Sequence, residues 1–223
     1  MDLDFTVVLD YLPMLAQGTK ITVQLTAMAV GIGTVIGLFM SLMRLSGVKP
    51  LVLLAKIYTD FFRGTPLLVQ IFLFYYGFPQ LLGVQSFPRT LAGIITLSLN
   101  SGAYVAEIFR AGIQSIHRGQ MEAARSLGMT SAQAMRYVVL PQAFKRCIPP
   151  LGNEFIAMLK DSSLVSVISL QELMQTGRII VGRSYRAFEP YIVVALIYLV
   201  MTMTISQLVS YLERVFGKDD QSE

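Results

Sequence analysis

Three stretches of this chain run 23 residues each without a charged side chain: Ile21 to Met43, Pro66 to Pro88 and Pro190 to Leu212. A helix of that length reaches roughly 35 Å at about 1.5 Å per residue, enough to cross a hydrocarbon core of roughly 30 Å. The lipid interior offers no water, so every backbone polar group must pair internally, and a helix achieves this within one segment. A shorter run, Thr90 to Ala106, continues through Glu107 towards Arg110. A fifth, Cys147 to Gln171, is interrupted by Glu154, Lys160 and Asp161. The expectation is an all-α polytopic membrane protein with about five transmembrane helices. The composition agrees: 54% hydrophobic, 14% charged, with a mean hydropathy of +0.59, values of the membrane class. No stretch is rich enough in Pro, Gly or Ser to be a linker, so residues 1–223 read as a single transmembrane domain.

Five crossings place the termini on opposite sides, and charge decides which side is which. With the N-terminus outside, the inner segments carry Arg44, Lys49, Lys56, Arg63, Arg110, Arg118, Arg125, Arg136, Lys145, Arg146, Arg214 and Lys218. The outer segments carry only Lys20, Arg89, Arg178, Arg183 and Arg186. Basic residues concentrate on the cytoplasmic side, so the N-terminus is expected outside and the C-terminus inside. Topology thus accounts for the formal charge of +4 without a nucleic-acid partner. The acidic start, MDLDFTVVLDYLPML, lacks the basic region and small-residue cleavage site of a signal peptide, and is expected to remain. One cysteine, Cys147, and one histidine, His117, exclude an internal disulfide, a Cys or His metal cluster and a His proton relay. No metal site is expected.

The segment between the third and fourth expected spans is too polar for lipid and too apolar for water. From about Arg118 to Leu127 it is helix-forming, with Ala123, Ala124 and Leu127 on one side. Gly128 suits the left-handed position that closes a helix. Thr130 or Ser131 can then cap a second helix, from about Ala132 to Leu140, with Met135, Val138 and Val139 on its apolar side. Pro141 would disrupt that helix if it continued. Two short helices meeting at a glycine can lie on the bilayer surface, or form a knob that fits a groove on a soluble partner. Spacing alone leaves both open.

Further along the chain, polar residues within the runs mark candidate transport positions, since they are costly in lipid and face an interior or a cavity. Pro149, Pro150 and Gly152 are expected to weaken the fourth span, with Asn153, Glu154, Lys160 and Asp161 following. A broken helix at that depth exposes backbone groups able to hold a zwitterion. Glu154 and Asp161, seven residues apart, fall on nearly one face and can read an ammonium group or a positive side chain. Lys160 beside Asp161 can instead form a packing ion pair. In the third span Asn100, Tyr104 and Glu107 share a face. Glu107 is expected to pair with Arg110, leaving Asn100 and Tyr104 as candidate substrate contacts. Arg63-Gly64-Thr65-Pro66 reads as a corner after an amphipathic helix over about 52–62, with Thr65 as cap, Pro66 at the first helical position and Arg63 as a surface anchor. Gly31, Gly33 and Gly37 read as packing positions.

Glu122-Ala123-Ala124, three residues, Gly128, then Val139-Leu140-Pro141 resembles the cytoplasmic EAA loop of ABC importer permeases, here about 117–141. FRGTPLLVQ (62–70), LNSGAYVAEIFRAGIQSI (99–116), LPQAFKRCIPPLGNEF (140–155) and KDSSLVSVI (160–168) extend the match over essentially the whole chain. Together they resemble the polar amino-acid permeases of the histidine/glutamine/arginine type. The resemblance implies a non-enzymatic transport subunit in a bacterial plasma (inner) membrane. Glu122, Ala123, Ala124, Leu127, Gly128 and Met129 would then shape coupling helices that dock on the ATPase. It also implies two ATP-binding cassette subunits, a second permease subunit (a homodimer or a related heterodimer) and an extracytoplasmic amino-acid-binding protein. No G-x-x-x-x-G-K-[ST] loop occurs in the chain, so ATP and Mg would be bound by the partner ATPase. The outer segment of about 172–189, with Arg178, Arg183 and Arg186, is a candidate docking surface for the binding protein. Glu154 and Asp161 favour a basic substrate such as arginine, lysine or histidine, with glutamine or another polar amino acid as the alternative. An ion-driven secondary transporter fits less well, because five spans do not divide into inverted repeats. An intramembrane enzyme lacks a ligand set or catalytic pairing.

Overall fold

The computed structural model describes residues 3–217, so Lys218, counted above among the inner charges, lies outside the described residues. The fold is all-α, with no strand among the described residues. After a single turn at Thr6–Leu9, the chain forms α1 (Leu12–Leu45), α2 (Lys49–Gly64), α3 (Leu67–Leu81) and α4 (Arg89–Gln114). There follow α5 (Arg118–Ser126), the long α6 (Ser131–Ile168), α7 (Leu173–Ser184) and α8 (Phe188–Gly217).

Three helices, α1, α4 and α8, are long and apolar enough to cross a membrane. A fourth crossing exists if α6 and α7, bent by 48° at their junction, count as one. The Pro66–Pro88 run is not a single spanning helix. Its helical part, Leu67–Leu81, has 15 residues and is about 22 Å long at the helical rise. It ends two residues after Pro79, and the chain turns through Gly83 at φ +69°.

The prolines behave in an unexpected way. Pro141 does not end a helix, because α6 continues through it. Immediately upstream, Met135–Val139 widens into a π turn; Leu73–Gly77 does the same ahead of Pro79. A proline lacks an N–H and its ring collides with the carbonyl four residues back. A wide turn moves that carbonyl aside, so the rod survives. Pro149 and Pro150 also lie inside continuous helix, and the expected break there is absent. Neighbours hold the rod on both sides at this point, Cys147 against Gly112 of α4 and Gly152 against Val209 of α8. The real break comes later, where Ser162–Ile168 tightens to a 3₁₀ turn and Ser169 takes φ +57°.

The expected outer segment 172–189 is also largely helical, since it contains α7. Glu172 caps α7 from complete burial: its carboxylate accepts from Met174 N (2.8 Å), Gln175 N (2.6 Å) and the Tyr198 hydroxyl (3.1 Å). Arg178, Arg183 and Arg186 each have a partner in the chain, respectively Ser166 O, the Tyr11 ring and Glu189.

The core centres on α1 and α4. Leu25, Ala29, Ile71, Ala92, Leu97, Met158 and Val165 are all buried in one cluster that joins α1, α3, α4 and α6. The α1 and α4 backbones nearly touch: a Cβ on Gly37 would lie 2.7 Å from Val105 Cβ and 2.9 Å from Ala106 N. A Cβ on Gly31, by contrast, would meet nothing within 4 Å. Gly37→Ala should therefore destabilise the protein by about 1–3 kcal/mol through overpacking. Gly31→Ala should not, since alanine is the better helix former. Thermal unfolding of the two detergent-purified variants tests this, and equal melting temperatures would contradict it.

Candidate functional site

Two features of α6 stand out, one at each end of its long helical stretch. At the start is the elbow. His117 caps α5, its Nδ1 accepting from Gly119 N at 3.1 Å. Gly128 takes φ +88°, so the chain reverses there, with Met129 N donating to Ala124 O at 3.3 Å. Thr130 and Gln133 then form a reciprocal capping box at the start of α6. Ala124 and Ala134 are buried in the angle, whereas Glu122, Ala123 and Gly128 are exposed and Met129 is partly buried. Leu127 is 83% exposed at the tip. Behind the elbow Ile116, Val139 and Ala143 are buried together, with Met121 and Met135 packed against them. The expected pair of helices around Gly128 is thus present, but the second continues into α6.

About six helical turns further along α6 lies Glu154. It is 9% exposed; its Oε1 makes no hydrogen bond of good geometry, and the buried Ser101 Oγ of α4 beside it makes none either. Glu154 lines a cavity of about 520 Å³ between α4 and α6, together with Tyr104, Glu107, Ser115, Arg146 and Arg63. Leaving a buried carboxylate oxygen unpaired costs about 1–3 kcal/mol or more. Such a group in a cavity wall is suited to a cationic ligand.

Glu107 of α4 lines the same cavity. Arg110 binds it at 2.6 and 3.0 Å, as the i,i+3 spacing predicts. Arg44 of α1 lies 3.2 Å away and Arg63 of α2 3.8 Å away, contacts that spacing did not reveal. The Arg63 guanidinium also sits over the Tyr104 ring, 5.4 Å from its centre.

The other sequence candidates lie elsewhere. Asn100 Nδ2 donates to Gln70 Oε1 at 3.0 Å and to Phe62 O at 3.4 Å, while Gln70 Nε2 donates to the Phe62 and Thr65 carbonyls. Asn100 thereby helps to tie the corner between α2 and α3. Thr65 closes α2, its hydroxyl donating to Phe61 O at 2.8 Å, and does not cap α3. Asn153 and Asp161 are exposed, and the cavity lining includes neither of them. Lys160 lines a different, largely apolar cavity with Tyr191 and Tyr198.

Residues 33–218, which take in the elbow and both walls of the cavity, match the family described as the binding-protein-dependent transport system inner membrane component. The chain belongs to that family. Among curated relatives, this inner membrane component is 39% identical to the arginine transport system permease protein ArtQ of Bacillus subtilis (strain 168), over 99% of this chain and 100% of that protein. It is 36% identical to the glutamine transport system permease protein GlnP of Escherichia coli (strain K12), over 96% and 98%. Among solved structures it superposes on an amino acid ABC transporter crystallised with histidines, with a TM-score of 0.92 and 52% identity, over 96% of this chain and 99% of that one. The MetNI methionine ABC transporter, at 19% identity and a TM-score of 0.77, over 93% of this chain and 98% of that one, shares the fold.

Sequence reasoning missed Arg146 as part of the cavity wall, took Arg63 for a surface anchor and did not single out Gln70. Arg146, Pro150 and Glu154 recur every four residues along α6, so that face was legible. Arg63 had no such local signal, because its partners come from another helix.

Proposed function

We propose that this chain is the permease subunit of an ATP-driven importer of polar amino acids, with arginine, lysine or histidine favoured over glutamine. The observation that carries the reading is that one continuous rod, α6, starts at an exposed elbow tipped by Leu127 and carries the buried Glu154 in a cavity wall further along. The elbow suits docking into a groove of an ATPase subunit in the helix-in-groove manner, with Leu127 as its apolar anchor and Glu122, Ala123, Ala124, Gly128 and Met129 shaping it. ATP and Mg belong to that partner. Closure of two such subunits would move α6 as a body and re-aim Glu154, a rigid-body form of alternating access.

The same reading places the N-terminus outside, the C-terminus and elbow in the cytoplasm, and the chain in a bacterial inner membrane. It keeps five crossings. The helix Leu67–Leu81, about 22 Å long, supplies the second, with the exposed apolar side chains of Leu82 and Val84 in the turn at its end. A second permease subunit, identical or related, would complete the path, and an extracytoplasmic binding protein would deliver the amino acid. Asp161, Asn153, Asn100 and Tyr104 remain part of the proposed substrate path, with Glu154 the first residue to test.

The decisive measurement is uptake into vesicles that hold the chain with its ATPase and binding protein. Uptake should follow ATP hydrolysis and persist when ionophores collapse proton and sodium gradients. Uptake that needs a gradient and ignores ATP would favour the secondary-transporter reading.

A further inference from the structure

The cavity between α4 and α6 is charged asymmetrically. One end holds Glu154, a buried carboxylate whose Oε1 makes no hydrogen bond of good geometry. Towards the elbow three guanidiniums, Arg44, Arg63 and Arg110, gather around a single carboxylate, Glu107, and a fourth, Arg146, lies further along against Ser115. These four cations are not equally committed. Arg110 donates through Nε and Nη2 to one Glu107 oxygen, Oε2, and Arg44 bridges Glu107 and the Thr59 hydroxyl. Arg146 donates through Nη1 to Ser115 O at 2.7 Å and Oγ at 3.2 Å. Arg63 lies 3.8 Å from Glu107, beyond hydrogen-bond distance, and rests on the Tyr104 face with no hydrogen bond among the described residues. Its five donors can therefore take a planar anion bidentately, the geometry in which guanidinium is strongest.

Arg146 sits against Ser115, eight residues and about 12 Å along α4 from Glu107, where Arg63 lies, so the two guanidiniums do not share one site. Arg63 is thus the cation with free donors in the wall that Glu154 also lines. We propose that Arg63 is the α-carboxylate-reading residue of this cavity. The zwitterion then lies with its carboxylate on the Arg63 guanidinium and a cationic group on Glu154. This rests on the proposed function and adds to it a requirement: the cargo must carry a free carboxylate. Arg63 is accordingly a specificity-determining residue and not a surface anchor.

The test is equilibrium binding of labelled arginine and glutamine, each against its α-carboxamide, to the permease purified with its ATPase subunits. Wild type should bind at least one of the two amino acids, about tenfold more tightly than its amide. Arg63→Gln should lose about that factor for the amino acid and none for the amide, and Arg63→Lys should recover part of it. An equal loss for amino acid and amide in Arg63→Gln would mean a purely structural role and overturn the proposal. So would a discrimination that survives the substitution. If wild type binds neither amino acid, the proposed function fails as well, an outcome distinct from failure at Arg63 alone.

Discussion

Replacing Gly128 with valine should cut ATP-driven uptake roughly 5- to 30-fold while leaving the membrane-embedded fold intact. The reasoning isolates the backbone. At φ +88° a Cβ on Gly128 would meet nothing within 4 Å, so no neighbour is struck. The penalty is conformational only: a side chain in the left-handed region costs roughly 1–2 kcal/mol, and more when β-branched. That shifts the population of the bent elbow by a factor of about 5–30. Gly128→Asn should be tolerated best, because asparagine enters this region more readily than other non-glycine residues. Uptake should therefore rank glycine, asparagine, alanine, valine, at nearly constant melting temperature. A valine variant that transports like wild type would remove the elbow from the coupling route.

Glu154→Gln should separate transport from stability. The substitution keeps shape and removes charge from a buried group whose Oε1 makes no hydrogen bond of good geometry. Relief of its desolvation should leave the protein as stable or more so, by up to about 1–3 kcal/mol. Loss of a charge-assisted contact to a cationic substrate, worth about 1.5–3 kcal/mol, should lower arginine uptake by roughly 10- to 150-fold. Glutamine uptake should change little. Competition between the two amino acids in vesicles, alongside thermal unfolding, reads both effects. Equal losses for both substrates would assign Glu154 to packing or gating. A rise in stability with a fall in transport is the pattern expected where a group is kept for function at a cost to the fold.

Features set by residues close together along the chain were legible in the amino-acid sequence. The uncharged runs at 21–43 and 190–212 lie inside α1 and α8. The elbow followed from a capping threonine and a glycine within three residues of each other. Misjudged features depended on context. Pro141, Pro149 and Pro150 are helix breakers by themselves, yet a wide turn upstream, or close packing against Gly112 and Val209, keeps the rod continuous. The uncharged run at 66–88 looked long enough to span, but its helix stops at Leu81. At the site, Glu154 was legible as a charge inside an apolar run. Arg63 was not, because the residues that give it meaning are more than 40 positions away.

The continuity of α6 also constrains timing. A helix without a joint between its elbow and its carboxylate cannot relay a stroke in stages. Any shift of the elbow reaches Glu154 in the same event, apart from what the wide turn at Met135–Val139 absorbs. Probes attached at the two ends should report one relaxation and not two in succession, as a crankshaft turns its journals together.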